Sequence, residues 1–383
     1  MTEITIVGGG IAGLSAAIRV AELGGKARIL EAQPRLGGRG RTEEAPYRAN
    51  FGAHALYLGA FSDWLAKTKL LPPNEPPRAT AFRFVWNGKL RRFPLALVPV
   101  LRTAKKQAPV DLDYRSWLGQ HVGEKSVRAA VGFTSLPTFH GDPGQLSAVF
   151  VHERVARSLA RPAVTYPKGG FAAIVARMAD HARALGVAIE TGEKRGTLPD
   201  GPTIVATDLR AAAKLLEKPE LDWPAPRTAM FDVALTPHRR DKPQVLDLDR
   251  HVYVSNYSAY DDSLAPNGEQ LYQAIAGLRE GEDLAGGIAR IHAVLDLAAP
   301  GWRDRTTWSR KGLSDGAGAA DPPGATWKDR PAIDQGDDRW LCGDRTAAPG
   351  LLCETSFHSG RAAAEKAMET LAARRPGTVR AVA

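Results

Sequence analysis

Thr5-Ile6-Val7 is a short apolar run that opens straight into Gly8-Gly9-Gly10-Ile11-Ala12-Gly13. Glycines at this spacing suit one task, holding a diphosphate. Gly8 lets the chain turn tightly out of a strand, Gly10 lets the backbone approach an anion closely, and Gly13 lets the next helix lie close on the sheet. The anion would sit where the first helical N–H groups, around Ile11 and Ala12, are unpaired and the helix dipole is positive. Glu31 stands 18 residues after Gly13, near the roughly 20-residue offset at which an acid meets ribose hydroxyls. Its charge disfavours a 2′-phosphate, and Ala32 beside it belongs to the same contact region. A second glycine pair follows in Arg35-Leu36-Gly37-Gly38-Arg39-Gly40-Arg41-Thr42. Arg39 offers a planar fork of donors to phosphate oxygens, whereas Arg35 and Arg41 read equally well as solvated loop cations.

These residues need a strand–helix–strand scaffold, and the pattern supplies one: a strand at 5–7, an alanine-rich helix over 14–23 and a strand over 27–30. Two later blocks look like parts of the same domain. Tyr166-Pro167-Lys168-Gly169-Gly170 leads into Phe171, Ile174, Val175, Met178, Ala182 and Leu185 at helical spacing, with Gly186 as cap and strands at 187–189 and 203–207. The third block is a strand over 339–342, then Gly343-Asp344 and a C-terminal helix whose apolar face is Ala363, Ala364, Ala367, Met368 and Leu371. Asp344 ends a parallel strand, the place where open α/β sheets bind ligands. Thr355 and Ser356 are expected at the start of the last helix, as N-caps or donors to a ligand.

The stretches between read differently. Phe82 to Trp86, followed by Asn87-Gly88, predicts a β-hairpin, and strands are expected at 231–235, 252–254 and 270–276. The expected organisation is α/β: a discontinuous cofactor domain (1–74, 161–227 and 321–373) carrying an inserted mixed-sheet α+β substrate domain (75–160 and 228–320), with a disordered tail over 374–383. The segment Phe93-Pro94-Leu95-Ala96-Leu97-Val98-Pro99-Val100-Leu101, followed by Arg102, Lys105 and Lys106, reads either as a membrane-interface contact or as core lining the substrate site.

With 383 residues, 44% of them hydrophobic, the chain is long enough for two folded domains and is not of disordered composition. Its net charge of +9 is spread along the length, without the aromatic-interleaved basic block of a nucleic-acid binder. Two cysteines, Cys342 and Cys353, make no disulfide framework and fit a reducing compartment. No cysteine–histidine cluster suggests a metal. The apolar start lacks the basic region of a signal peptide, and no apolar run is long enough to span a bilayer. The expected location is the cytoplasm, with contact to the inner face of a membrane left open, as is the oligomeric state.

The run Arg35-x-Gly-Gly-Arg39-x-x-Thr42 resembles the signature of the flavin family that holds amine oxidases, protoporphyrinogen oxidases and phytoene desaturases. Phe51-Gly52-Ala53-His54-Ala55-Leu56-Tyr57, Pro167 to Gly170, Ala299-Pro300-Gly301-Trp302 and Gly343-Asp344 to Gly360 look like its phytoene dehydrogenase-like branch. The resemblance implies a glutathione reductase-like Rossmann domain and FAD, expected to be held non-covalently because no cysteine or histidine sits in an obvious attachment context. It places Gly37, Gly38 and Arg39 along the diphosphate or flavin, Gly343 and Asp344 at the ribityl chain, and the last helix's N-terminus at the flavin N1–C2=O2 edge. His54 would pass near the isoalloxazine, either relaying a proton or positioning substrate, or serving only as a hydrogen-bonded structural residue. His358 and Cys342 read as structural.

Three departures bear on chemistry. The last helix opens Glu354-Thr355-Ser356 where the family has Glu-Gly-Ala. The chain is short for a carotenoid desaturase, and the strand expected to clamp the adenine between Gly192 and Thr203 is abbreviated. The expected activity is transfer of hydride from a largely apolar, prenoid or secondary-metabolite-like small molecule to flavin N5. Amine oxidation is the alternative, although Leu351 or Leu352 stands where those enzymes carry an aromatic residue that Tyr253, Tyr257 or Trp327 would have to replace. A flavin-dependent non-redox isomerase is the other alternative.

Overall fold

The computed structural model describes residues 3–53, 55–159 and 162–374. His54 and residues 375–383 lie outside the described residues, so the expectations placed on them are not addressed by it. The chain divides into two compact units, one of residues 1–39, 175–223 and 328–383 and one of residues 40–174 and 224–327.

The first unit is built on a six-stranded sheet with Glu3–Val7 at its centre. Lys26–Glu31 pairs parallel to one side of it, Ile29 against Ile6, and Thr203–Val205 pairs parallel to the other. Ala188–Thr191 extends the sheet beyond Lys26–Glu31, and Arg339–Leu341 extends it beyond Thr203–Val205. The antiparallel strand Asp334–Gly336 closes one edge. The chain therefore leaves Glu3–Val7 toward one flank and later returns to the other, which makes the carboxyl end of this strand a topological switch point. Isoleucine and valine without polar alternation suit a strand covered on both faces, and Ile4, Ile6 and Ile29 are fully buried.

Helix Ile11–Glu22 starts three residues earlier than the apolar spacing suggests, because Gly10 serves as its N-cap in extended conformation. It packs against the final helix, Cys353–Ala373. The crossing is close: a Cβ on Gly360 would lie 2.3 Å from the Ala12 carbonyl oxygen. The final helix is capped by Leu352, in the left-handed region at φ 54°. Thr355 and Ser356 thus fall inside its first turn, and neither is the N-cap. Leu185, expected on the apolar face of Gly170–Ala184, is exposed. It lies just past the helix end, where the periodicity no longer directs its side chain. Arg374, expected to open a disordered tail, is the C-cap of the last helix and pairs with Asp338.

The second unit centres on a seven-stranded mixed sheet in the order Thr306–Asp315, Arg227–Leu235, Gln270–Gly277, Val252–Asn256, Gln244–Asp247, Phe82–Trp86 and Lys89–Arg91. All neighbours are antiparallel except Gln244–Asp247 and Phe82–Trp86. The predicted hairpin is present, with Asn87 and Gly88 at φ 50° and 68°, as a two-residue primed turn requires. Side chains alternate between two cores, as the strand period demands. Phe84, Met230, Tyr253 and Ile275 join the helices Tyr114–Gly119, Glu124–Thr138 and Ala148–Leu159 on one face. Val85, Ala229, Val254 and Ala274 meet helix Leu284–Ala298 on the other.

Residues 40–74, 162–174, 224–227 and 321–327 group with this second unit rather than with the first. Part of the reason is a small sheet in which Val164–Pro167 pairs with Leu56–Tyr57 and with Asn74–Glu75. Sequence composition gave no sign of those pairings.

Candidate functional site

The site begins at the switch point. Gly8 has φ 113°, and a Cβ there would lie 2.6 Å from the Ala206 carbonyl oxygen. On Gly13 it would lie 1.9 Å from the Gly8 carbonyl oxygen. Both glycines are therefore dictated by the protein's own packing. Gly10 is different. Its φ is an ordinary −80°, and a Cβ there would meet only the Gly37 carbonyl oxygen, at 3.8 Å. No protein atom among the described residues requires a glycine at position 10, so the space above it is, among those residues, an open cradle. Gly37 lies alongside, bridged in parallel to Gly10 and donating its N–H to the Gly9 carbonyl at 2.9 Å.

Glu31 ends the neighbouring strand, buried, with its carboxylate fixed by two backbone donors. Gly9 N–H reaches one oxygen at 2.7 Å and Gln33 N–H the other at 2.8 Å. Each oxygen retains a further lone pair, as a ribose-binding acid needs. Ala32 beside it is exposed. The adenine-side stretch after Gly192 forms no strand; Gly192 and Glu193 instead donate to the carbonyls of Gln33 and Glu31 at 3.0 and 2.9 Å. Lys194 and Arg195 sit in this loop, where Arg195 pairs with Glu193 at 2.9 Å.

Gly38 and Arg39 follow in a short 3-10 turn. The Arg39 guanidinium reaches the Asp344 carboxylate at 2.7 Å, across a sequence separation of 305 residues. Burial opposes the Arg39 charge, but Asp344 outweighs it, Asp208 adds to this, and the group is held above its ordinary range. Gly343 and Asp344 hang from the end of Arg339–Leu341, and the final helix holds them in place: Gly343 N–H donates to Ser359 Oγ at 3.0 Å. The fold therefore gathers Gly8, Gly10, Ile11, Ala12, Gly13, Glu31, Gly37, Gly38, Arg39, Gly343 and Asp344 into one unit. This donor and acceptor set suits a dinucleotide diphosphate and its sugars.

Thr355 and Ser356 take unequal roles. The Thr355 hydroxyl is buried and donates to the Gly350 carbonyl at 2.9 Å, while Ser356 is half-buried and its N–H reaches the Leu352 carbonyl at 3.3 Å. Glu354 is turned back onto the Leu351 N–H at 3.2 Å. Cys342 is buried and its thiol is pushed up to about 12 by that burial, in keeping with a structural strand-end residue. His358 is half-buried, and burial holds its imidazole below its ordinary value.

Sequence reasoning missed three residues here. Ser359 fastens Gly343. Asp208 faces Arg39 electrostatically and caps helix Leu209–Leu215, a role its position before an alanine-rich run could have revealed. Arg345 is buried, donating to the Trp223 carbonyl at 3.1 Å, and burial lowers its guanidinium. No local signal marks it.

In the second unit, Thr42 of the arginine–glycine motif accepts the Ala172 N–H at 3.1 Å and donates to Asn50 at 2.5 Å, so its part is to tie the loop after Arg39 to the start of a helix. A buried network continues from Asn50. Arg310 spans Asp232 at 2.5 Å, Glu43 at 2.8 Å and the Asn50 carbonyl at 2.9 Å. Burial nonetheless raises the Asp232 carboxyl to about 6. Tyr253 and Tyr257, considered as flavin-flanking aromatics, are buried inside this unit. Tyr253 stacks on Phe82 at 5.9 Å and Tyr257 meets Tyr166 edge-on at 5.1 Å.

Residues 6–67 match the NAD(P)-binding Rossmann-like domain family. No curated protein matches the chain in sequence. Solved structures match over nearly its whole length. An oxidoreductase from Methanosarcina mazei superposes with TM-score 0.74 at 16% identity, covering 95% of this chain and 100% of that one. Cyclohexylamine oxidase from Brevibacterium oxydans IH-35A gives 0.71 at 16%, with 97% and 99% covered. Reduced UDP-galactopyranose mutase gives 0.68 at 12%, with 97% and 96% covered. At such identities the likeness is one of fold: the chain has a mixed α/β, Rossmann-containing fold that it shares with these solved structures.

Proposed function

We propose that this protein is an FAD-dependent oxidoreductase that holds its cofactor non-covalently and dehydrogenates a largely apolar small molecule. The observation that carries the proposal is the open cradle over Gly10, with Glu31 on one side and the Arg39–Asp344 pair belonging to the same unit. The N–H groups opening helix Ile11–Glu22 would hold the diphosphate, and Arg39 would add a charge-assisted fork to it. Glu31 would take the adenosine ribose, and its fixed negative charge favours a nucleotide lacking a 2′-phosphate. Asp344 would accept from the ribityl hydroxyls. The N-terminus of Cys353–Ala373 would stabilise negative charge at the flavin edge.

When bound, FAD supplies a two-electron acceptor, so the chain needs no nucleophile of its own and contributes binding, orientation and exclusion of water. Support for an apolar substrate comes from the second unit, where the half-buried Phe51, Ala53 and Phe82 lie against the core around Phe84 and Tyr253. A count of two cysteines in 383 residues fits a cytoplasmic setting.

Two other readings follow from likeness of fold. The match to cyclohexylamine oxidase favours an amine substrate; Leu351 and Leu352, where an aromatic would be expected, weigh against it. The match to a mutase favours flavin chemistry without net electron transfer. The deciding experiment is the absorption spectrum of the purified protein, before and after denaturation. Flavin bands with FAD released into the supernatant support the proposal. Anaerobic bleaching by alkenes or by amines then distinguishes dehydrogenase from amine oxidase, and turnover without bleaching identifies an isomerase. A colourless protein that takes up no added FAD refutes all three.

A further inference from the structure

Eight large apolar side chains are exposed among the described residues, and five of them lie within twelve residues of one another. Leu90 is 37% exposed, Phe93 45%, Leu95 80%, Val98 38% and Leu101 43%. Chance scatter would spread them over the surface. The segment folds as a 3-10 turn, Leu95–Leu97, running into the short helix Val98–Leu101. Its inner side is already satisfied: Leu97 and Val100 are buried in the core with Val127 and Val131, and Phe93 touches Phe84 edge-on at 6.0 Å. Leu95 therefore packs little within its unit, and Leu90, Phe93, Val98 and Leu101 each keep more than a third of their surface outward.

The charge carried by the segment itself is one-sided, although Asp249 from outside it accepts the Gly88 N–H at 3.0 Å. Lys89, Arg91, Arg92, Arg102, Lys105 and Lys106 are all exposed, and no acid occurs from Asn87 to Val110. An apolar protein partner would not call for six cations, and lysine is depleted in protein–protein interfaces. Apolar side chains that insert, ringed by cations at headgroup level, match an anionic lipid surface.

We propose that residues 89–106 are a docking surface for an anionic lipid bilayer, with Phe93, Leu95, Val98 and Leu101 entering the interface and the flanking cations meeting headgroup phosphates. No helix among the described residues is long and apolar enough to cross a membrane, so the contact is peripheral.

The test is flotation of the full-length protein with phosphatidylcholine vesicles, with and without phosphatidylglycerol, at low and high salt. The protein is expected to float with the anionic vesicles and to be released by salt. Leu95→Asp should weaken partitioning at least about tenfold through lost apolar burial. Arg91→Gln combined with Arg92→Gln, Lys105→Gln and Lys106→Gln should weaken it about as much at low salt and abolish its salt dependence. All five positions are exposed, so thermal melting by circular dichroism should be unchanged. Failure to float with anionic vesicles, or flotation indifferent to both variants, overturns the proposal. So does a concentration-dependent dimer in sedimentation velocity that Leu95→Asp dissolves, which would make the patch a face between two copies.

Discussion

Gly10→Ala and Gly13→Ala should separate binding from folding, although both lie in one six-residue motif. At Gly10 the backbone is ordinary for any residue, and the added methyl would meet one carbonyl oxygen at 3.8 Å, a normal contact. The cost is the poorer N-cap, about 1 kcal/mol at most. At Gly13 the methyl would sit 1.9 Å from the Gly8 carbonyl oxygen. The helix must then move off the sheet by more than an ångström, an overpacking cost of about 3 kcal/mol or more. A diphosphate held by charge-assisted N–H bonds, each worth about 1.5–3 kcal/mol, would be displaced by a methyl at Gly10. A loss of at least about 1.4 kcal/mol is a tenfold weaker affinity. Urea unfolding of the apoprotein measures the first quantity, and FAD titration followed by flavin fluorescence measures the second. Gly10→Ala should unfold near the wild-type midpoint and bind FAD at least about tenfold more weakly, whereas Gly13→Ala should be markedly destabilised. A Gly10→Ala protein that binds FAD as the wild type does would refute the assignment of the cradle.

Arg39→Met should change stability by no more than about 1 kcal/mol, since the Arg39–Asp344 pair is partly exposed; FAD affinity should fall about tenfold or more, and equal affinity in the same titration would remove Arg39 from the site. Glu31→Gln keeps one acceptor oxygen but leaves the second backbone N–H without a carboxylate, so unfolding free energy should drop by about 1–3 kcal/mol; an unchanged urea midpoint would contradict the geometry at Gly9 and Gln33. His140, His152, His251, His292 and His358 are all held below their ordinary value of 6.5, chiefly by burial. Their contribution to stability is complete above about pH 6.5 and is lost as pH falls through the lowered native values. Asp232, raised to about 6 by burial, acts in the opposite sense, favouring the fold as pH drops from 6 toward 3.8. The urea midpoint should therefore be lower at pH 5.5 than at pH 7.5, with a smaller difference in His251→Gln; a midpoint that rises on acidification would show that the histidines do not dominate.

What the sequence by itself determined is settled within about twenty residues. Gly8 and Gly13 are dictated by local turn geometry and by a helix lying on its own preceding strand. The Asn87-Gly88 turn follows from two positive φ angles, and Glu31 follows from the length of one strand–helix–strand unit. Those constraints are steric and periodic, so residue type and spacing display them directly.

Only the tertiary structure joined Arg39 to Asp344 and brought Arg345 and Asp208 toward them. These contacts depend on which strands become neighbours in the sheet, and the spacing of residues within a segment carries no record of that. The same holds for Thr355 and Ser356. A serine–threonine pair near a helix start reads as a cap, yet Leu352, in a left-handed conformation that leucine rarely adopts, begins the helix ahead of them. The segment 93–101 shows the division most clearly. Its apolar content was plain from the sequence, but which of its side chains are buried was decided by the helices packed behind it.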